Sequence, residues 1–184
     1  PVVVALPENV LGAMTDVEPI TRAPVLPQPN PSLADMDKVR DALSKAERPV
    51  ILAGGCGWSR DGSDALQDFA QASNIPVVAA FRYHDTYDNT LPSYAGEAGV
   101  GMLPEVKATL AESDVLVAIG VRFGEMTTDN YMLFNLPEMQ KTLIHVHASS
   151  DEINKIYRPD IAVQSNSNAF AKLLAERPVT RDGA

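Results

Sequence analysis

Four groups of residues in this 184-residue chain could do chemistry. The first is the turn Gly54-Gly55-Cys56-Gly57, which follows the apolar run Val50-Ile51-Leu52-Ala53 and precedes an amphipathic helical pattern. Glycine admits positive φ and lets backbone N–H groups approach a ligand, and a following helix adds its positive dipole end, so this corner suits a phosphate or a nucleotide. It lacks the full G-x-G-x-x-G fingerprint, and the same turn can serve only to redirect the chain. The second group is His145 and His147, two apart in a predicted strand and therefore on one face, where they can ligate a metal or act as structural or pocket histidines. The third is His84 with Asp85 and Asp88, which offers acid–base chemistry or a solvated loop packed on another domain. The fourth is Arg122, just beyond Gly120, which can take a phosphate or line a domain interface. Cys56 would need a base to act as a nucleophile, and the sequence locates none. Tyr83, Tyr87 and Tyr94 can stack on a ring or anchor an interface. No catalytic residue and no metal-ligand set is assigned.

The elements that must position these residues alternate. Strands are predicted at 1–6, 50–53, 77–81, 114–120, 142–147 and 161–163, each a short apolar run. Helices are predicted after Ser32 to about Ala46, with Leu33, Met36, Val39, Leu43 and Ala46 as its apolar positions, through Ala65 to Ser73, around Val106 and Leu110, from Ser150 to Tyr157, and from Asn168 to Glu176. Two long irregular stretches, 82–101 and 121–140, carry several of the candidate residues. Near-continuous apolar strands alternating with helices predict a doubly wound, mainly parallel α/β sheet with helices on both faces, of the Rossmann-like type. In such sheets ligands sit beyond the carboxyl ends of the strands, here at Gly54-Gly55, Phe81-Arg82, Gly120-Val121-Arg122 and His147-Ala148-Ser149. Residues 1–14 read as the end of a preceding domain, 15–31 as a proline-rich linker, 32–177 as the α/β domain, and 178–184 as a frayed tail.

Composition narrows the partners. A net charge of −9 and scattered Lys and Arg exclude a phosphate backbone or an anionic membrane surface as partner. No apolar run is long enough to span a bilayer, and the opening Pro1-Val2-Val3-Val4-Ala5-Leu6-Pro7 lacks the basic flank of a signal peptide. That opening reads as a strand cut from a larger protein. One cysteine allows no internal disulfide, in keeping with a reducing cytoplasm.

Five segments together carry a resemblance. They are Arg48-Pro49-Val50-Ile51-Leu52-Ala53-Gly54-Gly55, Ile75-Pro76-Val77-Val78, Tyr94-Ala95-Gly96 through Gly99, Ala111 through Phe123, and Ile144-His145-Val146-His147. In their order and spacing across roughly 33–176 the chain resembles the central domain of thiamine-diphosphate-dependent enzymes of the acetolactate synthase type. The opening strand is similar to the end of that family's pyrimidine-binding domain. The resemblance implies a three-domain parent acting on 2-oxo acids, with thiamine diphosphate and magnesium held by the flanking domains of the same chain, and a homo-oligomer. The activating glutamate and the Gly-Asp-Gly motif belong to those domains, so this piece alone is expected to be inactive.

The resemblance also implies that FAD or ADP can bind here. Gly54, Gly55 and Gly57 would approach the nucleotide, Gly96 and Gly99 would form a second wall, and Arg122 would face phosphates or flavin. His147 stands where FAD-keeping relatives carry an acidic residue, Ser149-Ser150 where they carry Asp-Pro, and Phe81-Arg82-Tyr83 where a Gly-Lys-Gly turn is common. An imidazole offers a ribose hydroxyl one acceptor nitrogen at most. Two other readings stay open: a stand-alone flavin or NAD module of an electron-transfer or deacylase-like protein, and an interaction domain whose pocket is empty. A zinc deacylase is disfavoured because one cysteine cannot build a Cys₄ site.

Overall fold

The structure, a computed structural model, describes residues 2–180. In chain order it contains α1 (Glu8–Leu11), α2 (Leu33–Lys45), β1 (Pro49–Ala53), α3 (Arg60–Ala72), β2 (Val77–Ala80), β3 (Tyr94–Ala98), α4 (Pro104–Glu112), β4 (Val115–Ile119), β5 (Thr142–His147), β6 (Ile161–Gln164) and α5 (Ser167–Ala175). The strands form one parallel sheet in the order β3-β2-β1-β4-β5-β6. This is the doubly wound arrangement that the sequence predicts, and its winding reverses between β1 and β4. Among the described residues no helix is long and apolar enough to cross a membrane.

Local chemistry starts each helix. Ser32 Oγ accepts from Asp35 N–H and donates to the Asp35 carboxylate, a reciprocal cap on α2. Ser59 Oγ accepts from Gly62 N–H at the start of α3, Pro104 occupies the first turn of α4, and Asn166 Oδ1 accepts from Asn168 and Ala169 N–H at α5. At the other end of α4 the Lys141 ammonium donates to Leu110 O, Ala111 O and Ser113 Oγ, satisfying carbonyls that the helix leaves free.

Side-chain alternation along the strands builds two cores. Ile51, Val117, Ile144 and Val146 face α2, α3 and α5, where Met36, Leu43, Phe69 and Phe170 are fully buried. Leu52, Leu116 and Leu143 face the other way, under Val106 and Leu110 of α4 and under Phe123, Phe134 and Tyr157. No helix joins β4 to β5, so the irregular segment 121–140 takes a helix's place as the cover on that face.

Four expectations need correction. The stretch 82–101 is not wholly irregular: Tyr94–Ala98 forms β3, an edge strand mostly only part-buried, which is why Tyr-Ala-Gly-Glu-Ala lacks the apolar run of an interior strand. Residues 150–157 form turns rather than a helix, with Asn154 at φ 64°. Residues 2–6 are extended and exposed with no strand partner among the described residues, followed by the single turn α1, because a strand forms only against an edge. Leu33, read as part of the apolar face of α2, is 73% exposed at its first turn.

The end of the linker is tied to the domain. Asn166 N–H donates to Pro29 O and its Nδ2 donates to Gln28 Oε1, which fixes 28–31 against the start of α5. Within the segment expected to fray, Val179 is buried and its N–H donates to Ser73 Oγ. Residues 181–184 and Pro1 lie outside the described residues.

Phe170 joins α5 to the core shared with α2 and α3. Phe170→Ala is expected to lower unfolding free energy by about 3–5 kcal/mol in urea denaturation, as large cavities in close-packed cores do.

Candidate functional site

The sheet delivers its candidate residues to the carboxyl edge. Beyond β1 and β4 the ladder continues for one more residue, with Gly54 N–H donating to Ile119 O at 3.0 Å and Gly120 N–H donating to Val146 O at 2.8 Å. Gly55 (φ 82°) and Gly120 (φ 70°) then turn into each other. A Cβ on Gly55 would collide with the Gly120 carbonyl oxygen, and one on Gly120 would collide with the Gly54 carbonyl oxygen. A Cβ on Gly54 would sit 2.6 Å from the Ala80 Cβ. Packing between β1, β2 and β4 therefore demands Gly54, Gly55 and Gly120. Gly57 differs: at φ 89° it has open space beside it, which leaves it the accessible part of the turn.

Two residues that the sequence reading passed over shape this corner. Trp58 Nε1 donates to Gly54 O at 2.8 Å and holds the indole beside the turn. Asn168, in the first turn of α5, accepts from Ser59 N–H and donates from Nδ2 to Gly57 O, both at 2.8 Å, so α5 clamps the start of α3. The only sequence signal was a second asparagine two positions after the Asn166 cap.

Charged groups gather across the switch point. Arg122 is exposed, with its Nε 3.7 Å from Glu152 Oε1, and Lys155 Nζ approaches the same oxygen at 3.1 Å. The Lys155 bond, with the nearby positive charge of Arg122, holds the Glu152 carboxyl below its usual range despite partial burial. Glu152 thus brings a carboxylate to the end of β5 although His147 itself is not acidic. The sequence reading assigned Glu152 only to a helix start, because four residues of bend and turn separate it from the strand. The Nδ1 of His147 is turned inward to the Ser149 backbone, so its Nε2 is the nitrogen left facing outward. Tyr83 OH lies 3.7 Å from Cys56 Sγ, and that contact, then burial, pushes the phenol above its ordinary value while Arg122 pulls the other way.

His145 points the same way as His147 but sits one layer down. It is 1% exposed, edge-on to the Phe123 ring at 5.1 Å, and its Nε2 is 3.0 Å from Val121 O. A carbonyl can only accept, so Nε2 carries the proton and Nδ1 is left without a partner. Burial pushes its pKa down to about 4. Among the described residues no group of three His, Cys, Asp or Glu is placed to hold a metal ion.

The remaining candidates serve packing. A Cβ on Gly96 (φ 110°) would lie 2.5 Å from Val106 Cγ2, and one on Gly99 2.7 Å from Phe81 Cδ2. Their open sides are thus filled by α4 and by Phe81. His84 Nε2 pairs with Glu97 Oε1 at 3.2 Å and the Asp88 carboxylate is engaged by Thr90, so these two are taken up by other partners, although His84, Asp85 and Asp88 line one cavity. Tyr87 is buried in the core with its hydroxyl 2.6 Å from Ser93 Oγ. Arg82 takes φ 67°, where a glycine would be at ease, and its N–H reaches Glu97 Oε1. A cavity of about 520 Å³ between Trp58, Arg60 and the 84–89 loop flanks the crest, and one of about 790 Å³ lies at the opposite edge of the sheet beside Lys141 and Asp160.

Against known proteins, residues 36–174 match the family described as "Thiamine pyrophosphate enzyme, central domain". The chain belongs to this family. Similar proteins include acetolactate synthase isozyme 2 large subunit of Escherichia coli K12, 25% identical over 96% of this chain and 31% of its own length. Glyoxylate carboligase of Escherichia coli O157:H7 is 30% identical over 96% of the chain and 30% of its own length. A probable acetolactate synthase large subunit of Methanocaldococcus jannaschii is 31% identical over 95% of the chain and 30% of its own length. The chain therefore spans about a third of the length of the relatives it matches. The parallel sheet with Gly54 to Gly57 at its switch point is the form this family member takes.

Two outcomes test the site. Gly120→Ala is expected to cost more than about 3 kcal/mol in urea unfolding, and Gly57→Ala, with strain but no collision, only about 1 kcal/mol. Because folded His145 has a pKa below its unfolded value of 6.5, its stabilisation is complete above pH 6.5 and lost as pH falls towards 4. The wild type should lose up to about 3 kcal/mol more than His145→Leu between pH 7 and pH 4, measured by urea unfolding at each pH.

Proposed function

We propose that this chain is the middle, nucleotide-bracing unit of a cytoplasmic, homo-oligomeric thiamine-diphosphate-dependent enzyme that decarboxylates small 2-oxo acids and ligates or releases the resulting aldehyde. Supporting the substrate class are the names of its relatives, acetolactate synthase and glyoxylate carboligase. The described residues offer no convergent metal-ligand set, so they do not fit magnesium diphosphate. Thiamine diphosphate and magnesium would be held by flanking domains of the same polypeptide, and the chain alone would not turn over substrate.

FAD or ADP is the group that these residues do fit. Arg122 would pair with a phosphate, the open Gly57 would let backbone approach the diphosphate, and Glu152 or the outward nitrogen of His147 would meet ribose hydroxyls. A bound flavin would supply a redox-active ring, and ADP only charge and a base to stack. The observation that carries the reading is that an exposed Arg122 and an accessible Gly57 follow the two neighbouring strands, β4 and β1, between which the winding reverses. Gly54, Gly55, Gly96 and Gly99 shape the walls through packing rather than by touching the nucleotide. A second reading, an interaction domain with a closed pocket, draws on the mutual contact of Gly55 and Gly120, which leaves no room between β1 and β4.

The full-length protein is expected to consume pyruvate or glyoxylate only with added thiamine diphosphate and magnesium; turnover without thiamine diphosphate would end the reading. Calorimetry should find FAD or ADP binding that weakens about tenfold in Arg122→Ala, as loss of a charge-assisted phosphate contact does. Absence of nucleotide binding would favour the closed-pocket reading.

A further inference from the structure

Exposed apolar side chains are unevenly distributed over this molecule. Outside residues 2–26 and Leu33, the large exposed apolar side chains among the described residues are Val100, Leu103, Met126, Tyr131, Met132 and Leu136. Val100 and Met132 are 71% and 72% exposed. All six belong to two connections, the one from β3 to α4 and the one from β4 to β5. The two meet near the start of α4: Lys107 Nζ of that helix donates to Asp129 Oδ2 at 2.6 Å, and Met102 of the first connection packs on the cluster that holds Leu133 and Phe134 of the second. The inward residues of segment 121–140 complete one core, so its outward apolar residues are left for something else.

We propose that this face is the seat of another domain of the same polypeptide, which covers it in the full-length protein. The inference rests on the proposed reading that further domains accompany this one, and it adds where one of them sits. Three observations choose the occupant. Relatives are about three times as long as the chain, so most of each polypeptide lies outside the matched part. The linker docks at Asn166, at the start of α5 on the carboxyl edge of the sheet, which is also the edge from which both apolar connections depart. Glu105 and Glu125 are exposed and stand within two residues of Leu103 and Met126 in the chain, and the whole chain carries a net charge of −9, so two copies meeting through this patch would oppose like charges. Methionine suits the contact, since its flexible thioether moulds to an irregular partner. The occupant accordingly presents an apolar centre with a basic rim.

Footprinting and cross-linking on the full-length protein test this. Met126 and Met132 should be oxidised by hydrogen peroxide about tenfold more slowly in the native protein than in urea, as covered methionines are. A photo-reactive benzoylphenylalanine at position 132, and separately at position 136, should cross-link within one chain to segments outside 1–184. Free oxidation of both methionines in the native protein would overturn the proposal, as would cross-links only to residues 2–180 of a second copy. Thiamine diphosphate binding measured on the same preparation reports on the proposed function separately. A protein that cross-links as expected yet fails to bind thiamine diphosphate would sink that function and leave this interface standing.

Discussion

The contact on which this structure depends is backbone against backbone, where the turn after β1 meets the turn after β4. Gly55 and Gly120 both adopt left-handed φ and stand so close that neither can carry a side chain. Two central parallel strands end together only if their exits diverge at once, and these glycines make that divergence possible. One exit leads through Gly57 and Trp58 into α3, the other through Val121 and Arg122 into the long cover over the second core. The same contact that closes the space between the strands therefore sets the two walls of the crest.

Around it the molecule divides its work by layer. Strand residues with side chains towards α2, α3 and α5 make one apolar core, and those pointing the other way make a second that is covered partly by irregular chain. His145 belongs to the second layer, where a carbonyl fixes its tautomer and burial keeps it neutral; His147, two residues on, reaches the crest. Both imidazoles lie on one face of β5, and position along the strand separates them: Phe123 covers His145, while His147 stands at the strand's last residue.

How much of this was legible follows from the range of each interaction. The helix start at Ser32 depends on a neighbour three residues away, and interior strands β1, β2, β4 and β5 announce themselves by uninterrupted apolar runs. β3 was hidden because an edge strand needs no such run. Glu152 was read as part of a helix that does not form, since turn residues carry it back to Arg122. Asn168 was invisible as a clamp because its partners, Ser59 and Gly57, are more than a hundred residues away.

The sequence by itself determined the class of fold, the strand ends that could line a site and the family resemblance, because period, apolar runs and motif order are properties of the chain read in one dimension. Which glycine faces open space and which is filled by a neighbour was decided only by tertiary structure. Gly54, Gly55, Gly57, Gly96 and Gly99 look alike in a string of letters. They differ in what stands opposite: Ala80, the Gly120 carbonyl, nothing, Val106 and Phe81. The physical reason is that a glycine's role is set by the atoms occupying the space where its side chain would have been, and those atoms arrive from distant parts of the chain.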